Sequence, residues 1–447
     1  MNAFSRRGAC PALAAPMQTG DGLLVRLNPV AGGLSPKSLI GLAESALRHG
    51  NGIMEVTARG SLQIRGLTPD SARLLATEVD ALGIAVRTGL QVETGPLAGI
   101  DRYEIADARP LAERIRVAVE EAGLTPRLGP KVSVVVDGGG QLGLGSMMAD
   151  VRLKAVRADN DIVWSVSVAG DGRNAKVLAT VDADAAKEIA VAALRMVAEK
   201  GREAHTRDLS DRQLASLAGW HSFAPPSVLP DRTEGGAKEC RPIGLFPLAG
   251  DVNILGIALP YGSMPADKII GLAQRALALG TTEIRLAPGR ALLFLGQPAA
   301  ANQRLQNTAT SLGFVTDASD PRTRIAACPG APACASGRIA TRDIAETIAA
   351  ENADILDFTL HISGCAKGCA HPGPAALTIV GDENGAGLVV NATAKSLPAG
   401  YRPRYDAARG VSRVAAMIRS ARLPGETAAA CLTRLGAAGI AEAYRQE

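Results

Sequence analysis

The chain has 447 residues, 47% of them hydrophobic and 21% charged, a globular profile long enough for two to four packed units, so size alone demands no staple. A net charge of only +4, with aromatic residues at 3%, leaves little for gripping a phosphate backbone or stacking bases, so nucleic acid is not an expected partner. No apolar run approaches the roughly 18 to 20 residues that span a bilayer, and Met1–Cys10 lacks the apolar middle of a secretory signal; the expectation is a cytoplasmic protein with no membrane partner.

In chain order, Leu23–Leu27 reads as a strand and Lys37–Leu47 as a helix with apolar residues at helical spacing, followed by Gly50 at the expected C′ position. Met54–Thr57 and Leu62–Arg65 are two further short strands. Lys131–Asp137 is an extended apolar strand running into glycines, Val151–Val156 is another, and Asp184–Lys200 is a helix. The stretch His205–Phe246, with Pro225-Pro226, Pro230, Gly235-Gly236 and Pro242, reads as a connection between halves.

The pattern then begins again. Ile254–Leu259, Asp267–Leu277, Gly280, Glu283–Leu286 and Leu292–Leu295 repeat the opening elements. Residues 24–66 match 254–296 without a gap at a constant offset of 230, with Ile40-Gly41-Leu42-Ala43 against Ile270-Gly271-Leu272-Ala273 and Gly50 against Gly280. The strands Phe358–Ser363 and Ala376–Val380 and the helix Gly410–Ala421 answer those that follow the first copy. The expected fold is therefore α+β and duplicated. Its units are 16–80, 85–204, a linker 205–245, then 246–300 and 320–445, related by a pseudo-twofold axis with a site at the seam.

Seven cysteines, an odd number in a reducing compartment, do not make a disulfide framework. Cys328 and Cys334 enclose Pro-Gly-Ala-Pro-Ala, which cannot be regular helix and must wrap, and Cys365 and Cys369 enclose Ala-Lys-Gly just after a strand. Four thiolates among small neighbours suit a cubane cluster, whose sulfurs need backbone amides close by. Structural zinc favours gaps of two to four residues, which makes the five-residue gap atypical for it; plain buried thiols are the remaining reading. Cys10, Cys240 and Cys431 lack partners at useful spacing.

Gly138-Gly139-Gly140-Gln141-Leu142-Gly143 satisfies Gly-x-Gly-x-x-Gly after a strand, with Asp159 downstream. A dinucleotide site needs a helix opening at those glycines. With a strand beginning by about Val151, there is no room for one, and a loop or hairpin beside a cavity is expected.

The order Cys-x5-Cys, strand, Cys-x3-Cys on a duplicated chain resembles the sirohaem-dependent sulfite and nitrite reductases over about residues 20–440. Thr57-Ala58-Arg59-Gly60-Ser61-Leu62-Gln63-Ile64-Arg65-Gly66 is similar to their Thr-x-Arg…Gln-x-x-Gly strand, Pro96–Asp101 to a nitrite reductase segment, and Leu128-Gly129-Pro130-Lys131 to Leu-Pro-x-Lys. The resemblance implies two ferredoxin-like half-domain repeats, two larger α/β domains, and a [4Fe–4S] cluster on Cys328, Cys334, Cys365 and Cys369. In the reductases the last of these bridges to sirohaem iron. It also implies that Arg59 and Lys131 bind anions and that Thr57, Gln63 and Arg65 line a tetrapyrrole cavity.

The departures have a direction. Leu90-Gln91 stand where reductases carry Arg-Asn, and Ser133 where sulfite reductases carry a second lysine, so half the cations that activate a small anion are gone. Arg7–Leu13, Pro16–Leu27 and His361–Pro372 resemble the precorrin-3B synthase family. That resemblance implies hydroxylation of the anionic tetrapyrrole precorrin-3A at C20 with lactone closure, using O2 and NADH; as no dinucleotide site is expected at the glycine segment, the electrons are expected through a separate reductase. It further implies a non-haem iron beside the cluster instead of sirohaem; a sirohaem-dependent reductase is the alternative. His361 and His371 flank the cysteine loop as candidates for iron or proton work, against the commoner fate of a structural histidine.

Overall fold

The computed structural model describes residues 11–30, 33–159, 161–218, 241–248 and 252–446. Cys10, Cys240 and the motif Arg7–Cys10 lie outside them. The first repeat comprises β1 (Met17–Thr19), β2 (Gly22–Leu27), β3 (Gly33–Leu34), α1 (Pro36–His49), β4 (Ile53–Val56), β5 (Leu62–Leu67) and α2 (Pro69–Ala81). The first α/β unit follows with β6 (Gln91–Thr94), α3 (Ala108–Glu121), β7 (Ser133–Asp137), β8 (Ala149–Ala158), β9 (Asp161–Gly170), β10 (Lys176–Val181), α4 (Ala183–Lys200) and α5 (Asp211–Ala218).

The second repeat has β11 (Gly244–Pro247), β12 (Asn253–Ala258), β13 (Ser263–Pro265), α6 (Ala266–Ala278), β14 (Glu283–Ala287), β15 (Ala291–Leu295) and α7 (Ala299–Ser311). The second α/β unit has β16 (Ile325–Ala327), α8 (Thr341–Glu351), β17 (Leu360–Ser363), β18 (Ala375–Gly381), β19 (Ala386–Ala392), β20 (Gly400–Arg402), α9 (Ala407–Ala421) and α10 (Ala428–Arg445).

Helix α1 starts where the Ser35 side chain accepts from the Ser38 N–H, with Pro36 in the first turn, and stops at Gly50. It buries Leu39, Leu42, Ala43 and Ala46; α6 buries Ile269, Leu272, Ala273 and Ala276, the same four positions at the offset of 230. The two stripes pack against each other in one core shared by both repeats. Each repeat also lends a strand to the other: the sheets run β1-β2-β5-β4-β13 and β11-β12-β15-β14-β3. Met264 pairs with Met54 and Leu34 with Ile284, and these pairs exchange under the same offset.

The α/β units share a second common plan. In each, three parallel strands are followed by two antiparallel ones, β6-β7-β8-β9-β10 and β16-β17-β18-β19-β20. Helices cover one face of each sheet over separate apolar cores. Strand β7 is shorter than the sequence suggests, because Lys131 sits in a turn. The glycine segment after it is not a hairpin: β7 and β8 are parallel, joined by residues 138–148 without a helix.

The expected linker 205–245 begins as part of the first α/β unit. Thr206 donates from its N–H to Asp150 Oδ1 and from its hydroxyl to the Asp150 carbonyl, and Leu209, Leu214 and Leu217 join that unit's core. Apolar residues at helical spacing outweigh the connection pattern there; the proline- and glycine-rich part, 219–240, lies outside the described residues. Among the described residues no helix is long and apolar enough to cross a membrane.

Candidate functional site

Cys328 directly follows β16 and Cys365 stands two residues past β17. These strands are parallel neighbours, so both cysteine loops leave the same edge of the sheet, the usual place for a site in such sheets. The loops are bonded together. Gly364 N–H donates to Cys328 Sγ at 3.2 Å, Arg338 N–H to the Gly364 carbonyl at 2.8 Å, and Lys367 Nζ to Ser336 Oγ at 2.9 Å. Approach this close requires glycine: a Cβ on Gly364 would fall 3.1 Å from the α-carbons of both Gly330 and Gly337, and the first loop is itself so tight that a Cβ on Gly337 would fall 2.6 Å from the Ala331 nitrogen.

Cys369 is exposed on its outer side, yet the atoms behind it desolvate the thiol and raise its pKa, and the charges of Cys328, Cys365 and Cys334 add to the rise against the opposing Lys367. The other three thiols are therefore within electrostatic reach of the fourth. Among the described residues, no three His, Cys, Asp or Glu side chains meet around one point as the ligands of a single ion do. A cubane presents its irons at separate corners, so thiols serving it stand apart. A backbone amide directed at a cysteine sulfur, small neighbours and thiols on two interlocked loops fit that group.

Arg65 is 4% exposed and its donors go to protein groups. Its Nε and Nη2 each donate to Asp21 at 2.9 Å, Nη1 lies 3.4 Å from Glu55 Oε2, and Nη2 also donates to the Ala333 carbonyl at 2.7 Å. Ala333 precedes Cys334, and Gly20 N–H donates to the same carbonyl at 3.2 Å. Arg65, expected to line a tetrapyrrole cavity, ties the first cysteine loop to the first repeat. Gln63, also buried, belongs to this network. With its amide nitrogen toward Glu55 (3.1 Å), its oxygen accepts from Arg26 at 3.0 and 2.7 Å, while Arg342 pairs with the other Glu55 oxygen.

Thr57 likewise has a local duty: its hydroxyl accepts from the Ser61 N–H at 3.0 Å and its N–H donates to the Ser61 carbonyl at 2.9 Å, closing the turn that presents Arg59. Arg59 crosses to the first α/β unit, donating to the Met148 carbonyl and lying 3.5 Å from Ser133 Oγ. A lysine at 133 would set a second cation against this guanidinium, so the difference noted in the sequence at Ser133 falls beside Arg59. Lys131 is exposed in its turn, and Leu90 is half-buried.

His361 is fully buried, neither ring nitrogen has a hydrogen-bond partner, and the hydroxyl of Thr378, opposite it on β18, is likewise unsatisfied. Burial, then the charges of His371 and Arg290, push the His361 pKa down to about 4, so its ring is neutral at pH 7. His371 stands edge-on with ring centroids 5.8 Å apart and bonds through Nε2 to the Pro374 carbonyl at 3.1 Å. The pair offers imidazole nitrogens but no accompanying carboxylate among the described residues, so a complete ligand set for a mononuclear iron is not assembled there.

Sequence reasoning missed Asp21, Glu55 and Arg342, whose pairing with Arg65 joins remote segments, and Arg290, which donates to the Ala370 carbonyl beside Cys369 at 3.1 Å. The only signal was the run Thr19-Gly20-Asp21-Gly22, an acid between glycines at a strand junction.

Residues 15–82 match the family model described as the nitrite/sulfite reductase ferredoxin-like half domain. The chain is 39% identical over 446 residues to a precorrin-3B synthase of Sinorhizobium sp, covering 99% of this chain and 96% of the relative. It is 22% identical over 392 residues to the ferredoxin–nitrite reductase of Synechococcus elongatus, covering 80% and 76%. The solved structure of Mycobacterium tuberculosis NirA shares the fold with a TM-score of 0.71 at 18% identity, covering 94% of this chain and 84% of that one.

Proposed function

The chain belongs to the precorrin-3B synthase family, and from that premise we propose that it is the oxygenase of cobalamin biosynthesis that hydroxylates precorrin-3A at C20 and closes a lactone with the ring A acetate. The observation that supports this reading most is likeness along nearly the whole chain to a precorrin-3B synthase. The site agrees with it, because Arg59 keeps a cation at the seam while Ser133 stands against it without a second one.

Cys328, Cys334, Cys365 and Cys369 would hold a [4Fe–4S] cluster, which supplies single electrons when bound. Arg65 and Gly20 fix the Cys334 loop, so the thiols do not need to be gathered when the cluster binds. Arg59 and Lys131 offer guanidinium and ammonium donors to substrate carboxylates, the guanidinium in a planar fork suited to two oxygens at once. Because the neutral His361 ring lies behind the Cys365–Cys369 loop without a partner, it has a nitrogen free to hold or pass a proton.

In the overall reaction one oxygen atom of O2 enters the product and the other leaves as water, consuming two electrons and two protons from NADH and solvent. The glycine loop 138–148 opens no helix for a pyrophosphate, which supports delivery of those electrons by a separate reductase. The described residues assemble no ligand set for the implied mononuclear iron, and no step is assigned to it.

The test is incubation of purified, reconstituted protein with precorrin-3A, a reductant and 18O2, followed by mass spectrometry. Labelled hydroxylactone is expected. Its absence, together with turnover of sulfite or nitrite, would reject the oxygenase in favour of the sirohaem reductase.

A further inference from the structure

The doubled scaffold creates two equivalent clefts along the edge strands of the α/β sheets. The first, of about 260 Å³, lies between the Asn28–Val30 loop, β6, α3 and the β14–β15 hairpin. The second occupies the related position: Ala258–Pro260 replace Asn28–Val30 at the offset of 230, and Gly289-Arg290 replace Arg59-Gly60. Both are lined by arginines. The second has Arg241, Arg290 and Arg322, the last clamped by both oxygens of Asp320. In the first, Arg109 is held in the same way by Asp107 and Arg285 by Glu283, which leaves Arg59, Arg87 and Arg116 facing Glu93 and Glu113.

Two of those guanidiniums share one acceptor. Arg87 Nη1 and Arg116 Nη2 both point at the Val92 carbonyl, at 3.5 and 2.6 Å. Their side chains are only 22% and 23% exposed, and Arg116 Nε is buried without a partner. Glu93 is 3.9 Å from Arg87, at the limit of an ion pair, and Glu113, which balances Arg116, is itself largely exposed. Burial and then the neighbouring Arg116 charge hold the Arg87 pKa below its usual value. Like charges held together away from water are costly unless an anion joins them.

We propose that this cleft is a binding site for a carboxylate or phosphate group, held by Arg87 and Arg116 with Arg59 on the wall toward the anion-binding position. A carboxylate of the tetrapyrrole periphery is the first source, a choice that rests on the oxygenase reading above; the second is the phosphate of a nicotinamide dinucleotide.

Full-length protein carrying its cofactors should be titrated with uroporphyrin, a polycarboxylate porphyrin, and separately with NADH, by fluorescence. Arg116→Met is expected to weaken one of them by about tenfold or more: uroporphyrin if the source is the tetrapyrrole, NADH if it is the dinucleotide. Glu113→Gln, an exposed change that leaves folding unstrained, is expected to tighten the same ligand several-fold by removing the counter-charge. Unchanged affinity for both ligands in both variants would overturn the cleft while precorrin-3A turnover by the parent still stood. Loss of that turnover would sink the oxygenase reading without touching the titrations.

Discussion

Replacing Arg65 by methionine separates two roles for a buried cation. If Arg65 bound substrate, Arg65→Met would raise KM and leave the fold intact or improve it. The structure gives it two carboxylates and the Ala333 carbonyl instead. Removing one partner of a buried ion pair costs about 3 to 5 kcal/mol. The low end applies here, because Asp21 keeps Thr19 and Asn51 as hydrogen-bond donors and Glu55 keeps Arg342. About 3 kcal/mol corresponds to a fall in Tm of roughly 6 to 12 °C at the scale of a 150–250-residue unit. The assay is thermal melting of parent and variant, with iron and acid-labile sulfide per chain measured on the same samples. Expected are a lowered Tm and a depleted cluster, since the Cys334 loop loses its anchor. An unchanged Tm with full iron and sulfide and a raised KM would refute the reasoning.

Gly337→Ala should distort the Cys328–Cys334 loop, because its methyl would sit 2.6 Å from the Ala331 nitrogen; iron and sulfide content should drop, while Gly145→Ala, whose Cβ meets nothing within 4 Å, keeps both. Cys334→Ser and Cys369→Ser should lose the cluster and Cys431→Ser, in the apolar core of the second α/β unit, should not; full occupancy in the Cys334 variant would contradict this. Burial, with help from Asp107 and Asp101 against the Gly99 N–H, raises the Glu104 pKa from 4.5 to about 7. The folded state therefore holds that proton more tightly than the unfolded one, and stability falls as pH rises through about 4.5 to 7. Glu104→Gln should melt like the parent near pH 4 and above it at pH about 8; equal melting at both would dispose of the shift.

The duplication was legible because burial repeats at a fixed offset: Leu39 and Ile269, Leu42 and Leu272, Ala46 and Ala276 serve one shared core. The exchange of β3 and β13 was not, since strands of two or three residues carry no periodicity and their partners lie far away in sequence. The cysteine spacing marked the two loops, but not the parallel pair β16 and β17 that starts both loops side by side. Arg65 shows the limit most clearly. A motif marks a cation at a site, yet only coordinates reveal that Asp21, 44 residues away, has already claimed it. Thr206 and α5 show the converse, where apolar spacing inside an expected linker belonged to a core.

The account's central claim is that these four thiols serve a cluster beside a cavity that takes its tetrapyrrole as substrate. Anaerobic purification followed by optical spectroscopy, with iron and sulfide analysis, tests it most directly. The expected result is a broad cluster shoulder with about four sulfides per chain and no tetrapyrrole bands. Intense red bands from a co-purifying sirohaem, or protein with no acid-labile sulfide, would contradict it.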